Sequence, residues 1–149
     1  MRNNIFVAGD AGVISYGRVE PHVGFTLERN ILVSNGQPVF RGNFGPEGRQ
    51  IYSDLNLIWD SSGRAPIING TAIWGQDVGR KVDLTAWREW DYDRHSLIAD
   101  PGFRNVDKYD FRLSPSSPAL ALDFKPIEMS DVGPRQPVGP RSRWATGAQ

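Results

Sequence analysis

The residues best suited to acid–base chemistry lie together in one short segment, Tyr92-Asp93-Arg94-His95. An imidazole that is held by a carboxylate can act as a general base near neutral pH, so the segment predicts that Asp93 orients His95. The structural alternative is that His95 only hydrogen-bonds to backbone. Asp93 and His95 are therefore candidate catalytic residues.

Aspartates elsewhere could supply the two carboxyl groups that glycoside hydrolysis usually needs, placed about 5–5.5 Å or about 6.5–9.5 Å apart. Asp54 and Asp60 flank one apolar segment and Asp10 lies earlier, but none of them forms a local pair. The alternative for each is a solvated turn residue. Asp54 is kept as the third candidate catalytic residue. A lyase acting on a uronic acid would use a cation, for which the candidates are Arg41, Arg49 and Lys81.

Five tryptophans are many for a chain of 149 residues. An exposed indole can hold a sugar, because the C–H face of a pyranose packs on an apolar ring. Trp59 and Trp74 are the candidate substrate-binding residues, whereas Trp87 is expected to anchor a short helix. Asn69-Gly70-Thr71 matches a glycosylation sequon, although an Asn-Gly pair also simply makes a turn.

The composition argues against several classes of function. Lys plus Arg equals Asp plus Glu at 17 each, so no net charge attracts nucleic acid. Cysteine is absent, which excludes disulfides and thiolate metal sites. The other histidine, His22, is far from His95 in sequence, so no zinc site is expected. Calcium bound by loop carboxylates stays open as an alternative that no motif supports. We therefore expect no metal and no cofactor.

The sequence also lacks the signals of membrane insertion and export. No apolar run approaches the roughly 18 residues that a membrane span needs. Residues 1–5 lack the charged, apolar and small-residue zones of a signal peptide. An apolar strand pattern begins within these first residues, so we expect the chain to be part of a longer protein and to contact no membrane.

A repeat of 26 residues decides the predicted fold. Asn4, Asn30 and Asn56 recur at this interval, each with short apolar strands before and after it. Such a repeat predicts a β-solenoid whose strands stack about 4.8 Å apart. The three asparagines should then hydrogen-bond to one another at a bend, where asparagine tolerates left-handed backbone. Equivalent apolar residues should form a ladder inside the stack: Ile5, Ile31 and Leu57. The alternative is coincidence within an ordinary β-sandwich.

The chain divides into three regions by this pattern. Residues 1–70 are predicted to form about three regular coils of the solenoid. Residues 71–130 are read as irregular last coils and a C-terminal cap, with a short helix over 83–90 that Asp83 caps. Residues 131–149 are rich in Pro, Gly and Arg, which predicts a disordered tail.

Nearly the whole chain apart from the tail resembles a known family. The runs that carry the resemblance are His95–Phe103, Asp110–Leu113, Ser117–Leu120, Phe124–Ile127 and Asp131–Pro134, with Trp87 and Asp93 upstream. They resemble the C-terminal signature of bacterial right-handed parallel β-helix proteins of the pectate-lyase-like superfold. The Asp-Asp and Gly-His-Gly motifs of polygalacturonase-like members are absent, as is the arginine-centred motif of pectate lyases.

The resemblance implies an all-β chain that is the C-terminal fragment of a secreted or periplasmic, carbohydrate-active protein. The expected activity is a glycoside hydrolase or a polysaccharide lyase, with a polysaccharide or oligosaccharide as partner. The alternative is a non-catalytic glycan-binding or structural β-helix, with no activity in the fragment alone. The exposed first coil also predicts end-to-end self-association.

Overall fold

Among the residues that the computed structural model describes, the chain is all-β with one short α-helix. The structure describes residues 1–17, 21–42, 44, 51–70, 72–73, 76–77 and 82–128. The strands are β1 (Ile5–Val7), β2 (Ile14–Tyr16), β3 (Phe25–Glu28), β4 (Ile31–Ser34), β5 (Phe40–Gly42), β6 (Ile51–Asp54), β7 (Leu57–Asp60), β8 (Asn69–Gly70), β9 (Ala72–Ile73), β10 (Gln76–Asp77), β11 (Leu97–Ile98), β12 (Phe103–Asn105) and β13 (Asp110–Leu113). The helix α1 spans Leu84–Glu89, and two 3₁₀ helices span Val106–Lys108 and Pro118–Leu122. No helix among the described residues has both the length and the apolar character to cross a membrane.

Among the described residues three sheets are parallel, and the 26-residue interval is the register of the pairs β1-β4, β4-β7, β2-β5 and β3-β6. Their strand orders are β1-β4-β7-β11, β2-β5-β8 and β3-β6. Ile5 lies beside Ile31 and Ile31 beside Leu57, while Ile14 lies beside Phe40 in the second sheet. The repeat of the first 60 residues is therefore confirmed as three segments in direct lateral contact.

The three asparagines form the predicted ladder. The backbone N–H and the Nδ2 of Asn4 both donate to Oδ1 of Asn30, at 3.1 Å each. Asn30 donates in the same way to Oδ1 of Asn56, at 3.0 and 3.1 Å. The contact is confirmed, but the asparagines themselves are not left-handed. The positive φ angles lie one residue earlier, at Asn3, Arg29 and Leu55.

The β1-β4-β7-β11 sheet is covered on both faces. Leu32 and Ile58 belong to a first core cluster with Leu27 and Phe40. Successive residues of a strand point to opposite faces, and Ile31 belongs to a second cluster. The predicted ladder of Ile5, Ile31 and Leu57 is confirmed in its alignment. These side chains belong to the second cluster, under the C-terminal segment. The prediction that they lie inside the stack is therefore wrong.

The C-terminal segment, residues 99–128, lies along the second face of this sheet. Ala119, Leu122 and Phe124 pack there in the second core cluster. The segment reaches back to the first repeat, where Lys125 N–H donates to Oδ1 of Asn3 at 2.6 Å and Asn3 Nδ2 donates to the Lys125 carbonyl at 2.9 Å. This part of the predicted cap therefore covers the side of the stacked strands. The predicted tail, 131–149, lies outside the described residues.

The predicted short helix is confirmed as α1. Asp83 caps its N-terminus by accepting a hydrogen bond from Ala86 N–H at 2.9 Å. Trp87 has no exposed surface, and its ring stacks on Phe40 and Tyr92 at centroid distances of 4.7 and 4.5 Å. Trp87 therefore fixes α1 to the first core cluster, as expected.

Candidate functional site

The structure assembles a histidine–aspartate pair on the surface of the β3-β6 sheet. Nδ1 of His95 lies 2.7 Å from Oδ2 of Asp54. The His95 backbone N–H also donates to Oδ1 of Asp54 at 2.8 Å, so the carboxylate holds both the ring and the main chain. The His95 side chain is 72% exposed and that of Asp54 only 12%. This arrangement leaves Nε2 of an exposed imidazole available to a ligand, with the ring orientation fixed from behind.

Local structure explains why Asp54 reaches His95. Alternation along β6 points Ile51 and Ser53 to the interior and directs Tyr52 and Asp54 outward. Leu55 turns the chain with a φ of 57°, and its N–H donates to Oδ1 of Asp54 at 2.8 Å. The carboxylate is thus immobilised at the end of a strand before it meets His95.

The predicted pairing of Asp93 with His95 is wrong, although all three candidate catalytic residues lie in one region. Asp93 adopts a φ of 49°, and its side chain is fully buried. Its carboxylate accepts hydrogen bonds from Asn56 Nδ2 at 2.9 Å, Trp87 Nε1 at 2.9 Å and Ser96 Oγ at 2.7 Å. It also accepts from Ser53 Oγ at 3.0 Å. Asp93 therefore acts as a buried acceptor that closes the asparagine ladder.

Two further side chains complete the outer surface around Asp54. Glu28 is the register partner of Asp54 on the adjacent parallel strand, and such neighbours lie about 4.8 Å apart. Tyr52 is exposed, but its hydroxyl is partly desolvated. This partial desolvation, followed by the negative charges of Asp54 and Glu28, raises the pKa of the hydroxyl. Neither Glu28 nor Tyr52 was predicted from the sequence as part of a site. Glu28 precedes Asp54 by the repeat interval of 26 residues, which was sufficient to find it.

Asp54 is held in its ionised form. Burial by itself raises the pKa of this carboxyl, but hydrogen bonds from the His95 side chain, the His95 N–H and the Leu55 N–H outweigh burial. The pKa therefore lies below its ordinary value of 3.8. An ionised Asp54 favours the imidazole tautomer that carries its proton on Nδ1.

We expect Asp54→Asn to lower the free energy of unfolding by about 2 kcal/mol near neutral pH, because three donors lose a charged acceptor. A depressed pKa stabilises the fold above the ordinary value of 3.8, and this contribution is lost as the pH falls through the folded-state pKa. The difference between variant and parent should therefore shrink at about pH 3. Urea unfolding near neutral pH and at about pH 3 measures this difference in the free energy of unfolding. Asp107→Asn, at an exposed position, is the control, and an equal pH response in both variants would contradict the assignment.

The other predicted residues fall into separate places. Trp59 is half-buried against Phe103 in the second core cluster, and it borders a surface cavity of about 500 Å³. Asp60 is buried and accepts hydrogen bonds from Ser34 Oγ and Gly36 N–H at 3.0 and 2.8 Å, so it organises a turn. The arginine Arg41 donates to the Ala11 carbonyl. Trp74, Arg49 and Lys81 lie outside the described residues.

Burial decides whether the sequon asparagine is accessible, and the grouping of acidic and histidine side chains decides whether they could bind a metal ion. Asn69 is fully buried, so its side chain is not accessible to a glycosyltransferase in this fold. Asp10 and His22 are exposed. Within the part of the chain that the structure describes, no group of three or more acidic or histidine side chains is placed to hold a metal ion.

Comparison of the chain with protein-family models, with curated proteins and with solved structures finds no match. The site is therefore interpreted from its own geometry. That geometry consists of an exposed imidazole oriented by a buried carboxylate, with a second carboxylate on the neighbouring strand. These groups are the ones required for proton transfer to or from a bound substrate.

Proposed function

We propose that this chain is the C-terminal portion of a right-handed parallel β-helix protein of the pectate-lyase-like superfold. Parallel strands stacked at intervals of 26 residues and the asparagine ladder support this architecture. The resemblance of residues 95–134 to the family signature supports the same assignment. On this proposal the parent protein is secreted or periplasmic and acts on a complex polysaccharide.

The observation that carries the catalytic part of the proposal is the 2.7 Å contact between His95 Nδ1 and Asp54. His95 serves as the general acid–base through Nε2, and Asp54 is the positioning residue that holds the ring. In a lyase reaction Nε2 takes the proton next to a uronate carboxylate, and the glycosidic oxygen leaves from the neighbouring carbon. The electron pair of the broken C–H bond forms the double bond of the product, and the departing oxygen receives the proton from the His95 imidazolium.

Glycoside hydrolysis is the second candidate reaction, favoured by the register of Glu28 with Asp54. Neighbouring parallel strands bring two carboxyl groups into the range that hydrolases use. Non-catalytic glycan binding would instead use the exposed ring of Tyr52 as a platform for a sugar. The three alternatives differ in their products, which are an unsaturated uronide, a new reducing end without unsaturation, or no product.

A polysaccharide panel that includes uronic-acid polymers tests the proposal. We expect turnover, followed as reducing ends and as ultraviolet absorbance of unsaturated products. His95→Gln should reduce kcat about a hundredfold, because a positioned general base contributes at least that much. His22→Gln, at the other and exposed histidine, should have no effect. Absence of turnover on every polymer would refute the enzyme proposal, and binding without turnover would establish the glycan-binding alternative.

A further inference from the structure

Among the described residues, the four-stranded sheet ends at β11, next to the segment that carries His95. In each earlier repeat, the backbone carbonyl of the ladder asparagine accepts a hydrogen bond from an N–H of the following segment, as Asn56 does from Leu97 at 2.9 Å. Leu97 is the register partner of Leu57, so Ser96 occupies the position of the ladder asparagine in the segment that contains β11. The Ser96 carbonyl therefore lies where a further repeat would donate.

Arg88 donates at this position instead of a further repeat. Its Nη2 donates to the Ser96 carbonyl at 2.8 Å, and its Nε donates to the Asp93 carbonyl at 3.2 Å. The N–H groups on Nε and Nη2 belong to the rigid planar fork of the guanidinium, which suits two acceptors that lie side by side. One side chain therefore holds both ends of the segment 93–96, and His95 lies between them.

The third repeat holds the same segment through its N–H groups. The Asp93 N–H donates to the Ser53 carbonyl at 2.7 Å, and the His95 N–H donates to Oδ1 of Asp54 at 2.8 Å. The segment begins in left-handed backbone, because Asp93 has a φ of 49°. Such a conformation persists only where the surrounding structure holds it. The contacts of Arg88 and of the third repeat together fix the backbone from which the imidazole projects.

The first core cluster sets the position of Arg88. This residue lies in the last turn of α1, directly after Trp87, which has no exposed surface. Trp87 Nε1 donates to the Asp93 carboxylate at 2.9 Å. Consecutive residues of α1 therefore hold the side chain and the carbonyl of Asp93, and the packing of α1 on the core determines where the His95 segment lies.

We propose that Arg88 is a positioning residue for His95. By fixing the carbonyls on both sides of His95, the guanidinium keeps the imidazole against Asp54 with a proton on Nδ1, and it leaves Nε2 available to a substrate. The consequence for catalysis rests on the proposed function, because it requires His95 to transfer a proton. The orientation of the ring does not rest on it, and it can be measured without a substrate.

Nitrogen NMR of the His95 ring tests the orientation at about pH 8, where imidazoles are ordinarily neutral. We expect the Nδ1–H tautomer to predominate in the parent protein. Arg88→Gln should shift the tautomer ratio about tenfold towards Nε2–H, because a weakened hydrogen bond to Asp54 no longer selects Nδ1–H. Arg88→Lys keeps the charge without the planar fork, so its ratio should be intermediate.

Arg94→Gln is the matched control for Arg88→Gln. Arg94 lies in the same segment as His95, but its Nε pairs with Asp91 at 2.7 Å. Its replacement should leave the tautomer ratio of His95 unchanged. Circular dichroism checks that each variant is folded, and if Arg88→Gln does not fold, the comparison of Arg88→Lys with the parent decides.

Kinetics on a polymer that the parent protein turns over gives the second readout. Arg88→Gln should lower kcat about tenfold with KM nearly unchanged, as part of the loss expected of His95→Gln, because a misoriented base fails in the transition state and not in binding. The proposal is refuted if both Arg88 variants keep the tautomer ratio of the parent, or if Arg94→Gln changes it equally. Absence of turnover by the parent refutes the proposed enzyme, whereas the NMR signals alone decide whether Arg88 orients His95.

Discussion

Asp93→Ala is expected to lower the free energy of unfolding by about 4 kcal/mol. The substitution removes a fully buried carboxylate that accepts from Ser53, Asn56, Trp87 and Ser96. Each stranded donor costs about 1–3 kcal/mol, although the two hydroxyls can turn to other acceptors. A loss of this size is a large share of the stability of a small domain, about 5–15 kcal/mol. Urea unfolding followed by circular dichroism measures it.

Asp83→Ala provides the matched control for Asp93. Asp83 lies in the same part of the chain but is exposed and accepts a single hydrogen bond from Ala86 N–H. Loss of this helix cap should cost about 1 kcal/mol. If Asp93→Ala and Asp83→Ala lower the free energy of unfolding equally, the hydrogen bonds to Asp93 do not contribute the stability assigned to them. The loss of unfolding free energy in Asp93→Asn should lie between those of Asp93→Ala and Asp83→Ala, because the asparagine amide retains one acceptor oxygen.

Trp87→Ala is expected to cost about 4 kcal/mol through the cavity that it leaves. The indole has no exposed surface and stacks on Phe40 and Tyr92 at 4.7 and 4.5 Å. Trp87→Phe keeps most of the ring packing but removes the Nε1 donor to Asp93, so about half of the loss should remain. Thermal unfolding by circular dichroism gives both values.

Trp90→Ala is the comparison for Trp87. Trp90 belongs to the same helix region, but it is only half-buried and lies at the margin of the first core cluster. Its removal should cost clearly less than that of Trp87. A larger effect at Trp90 would mean that α1 is attached through its C-terminal end instead.

The sequence was sufficient to predict the stacking but not which way the strands face. Equal spacing of Asn4, Asn30 and Asn56 defines the register, because equivalent residues of stacked strands must touch. The error concerned Ile31 and its equivalents, which were assigned to the interior. The continuous apolar run Ile31-Leu32-Val33 is typical of a strand buried on both faces, and it indicates that another segment covers the sheet.

The residues of the candidate site were predicted from the sequence, but the contact of His95 with Asp54 was not. Asp93 and His95 are two residues apart, and proximity in sequence suggested a local contact. The backbone turn at Asp93 instead directs its carboxylate into the ladder, and the partner of His95 comes from β6, 41 residues away. A contact between separate strands has no local sequence signal. Only the repeat register, which also aligns Glu28 with Asp54, could have suggested it.

The contact between Lys125 and Asn3 has a consequence for how this molecule can evolve. Repeat proteins commonly change length by duplicating a unit. Here residues 99–128 run along the strands and are anchored at Asn3, so their length matches the number of repeats between Asn3 and Leu97. A duplicated repeat would move the anchor by about 4.8 Å and separate the pair. The gain or loss of a repeat between Asn3 and Leu97 would therefore break the contact that anchors the C-terminal segment.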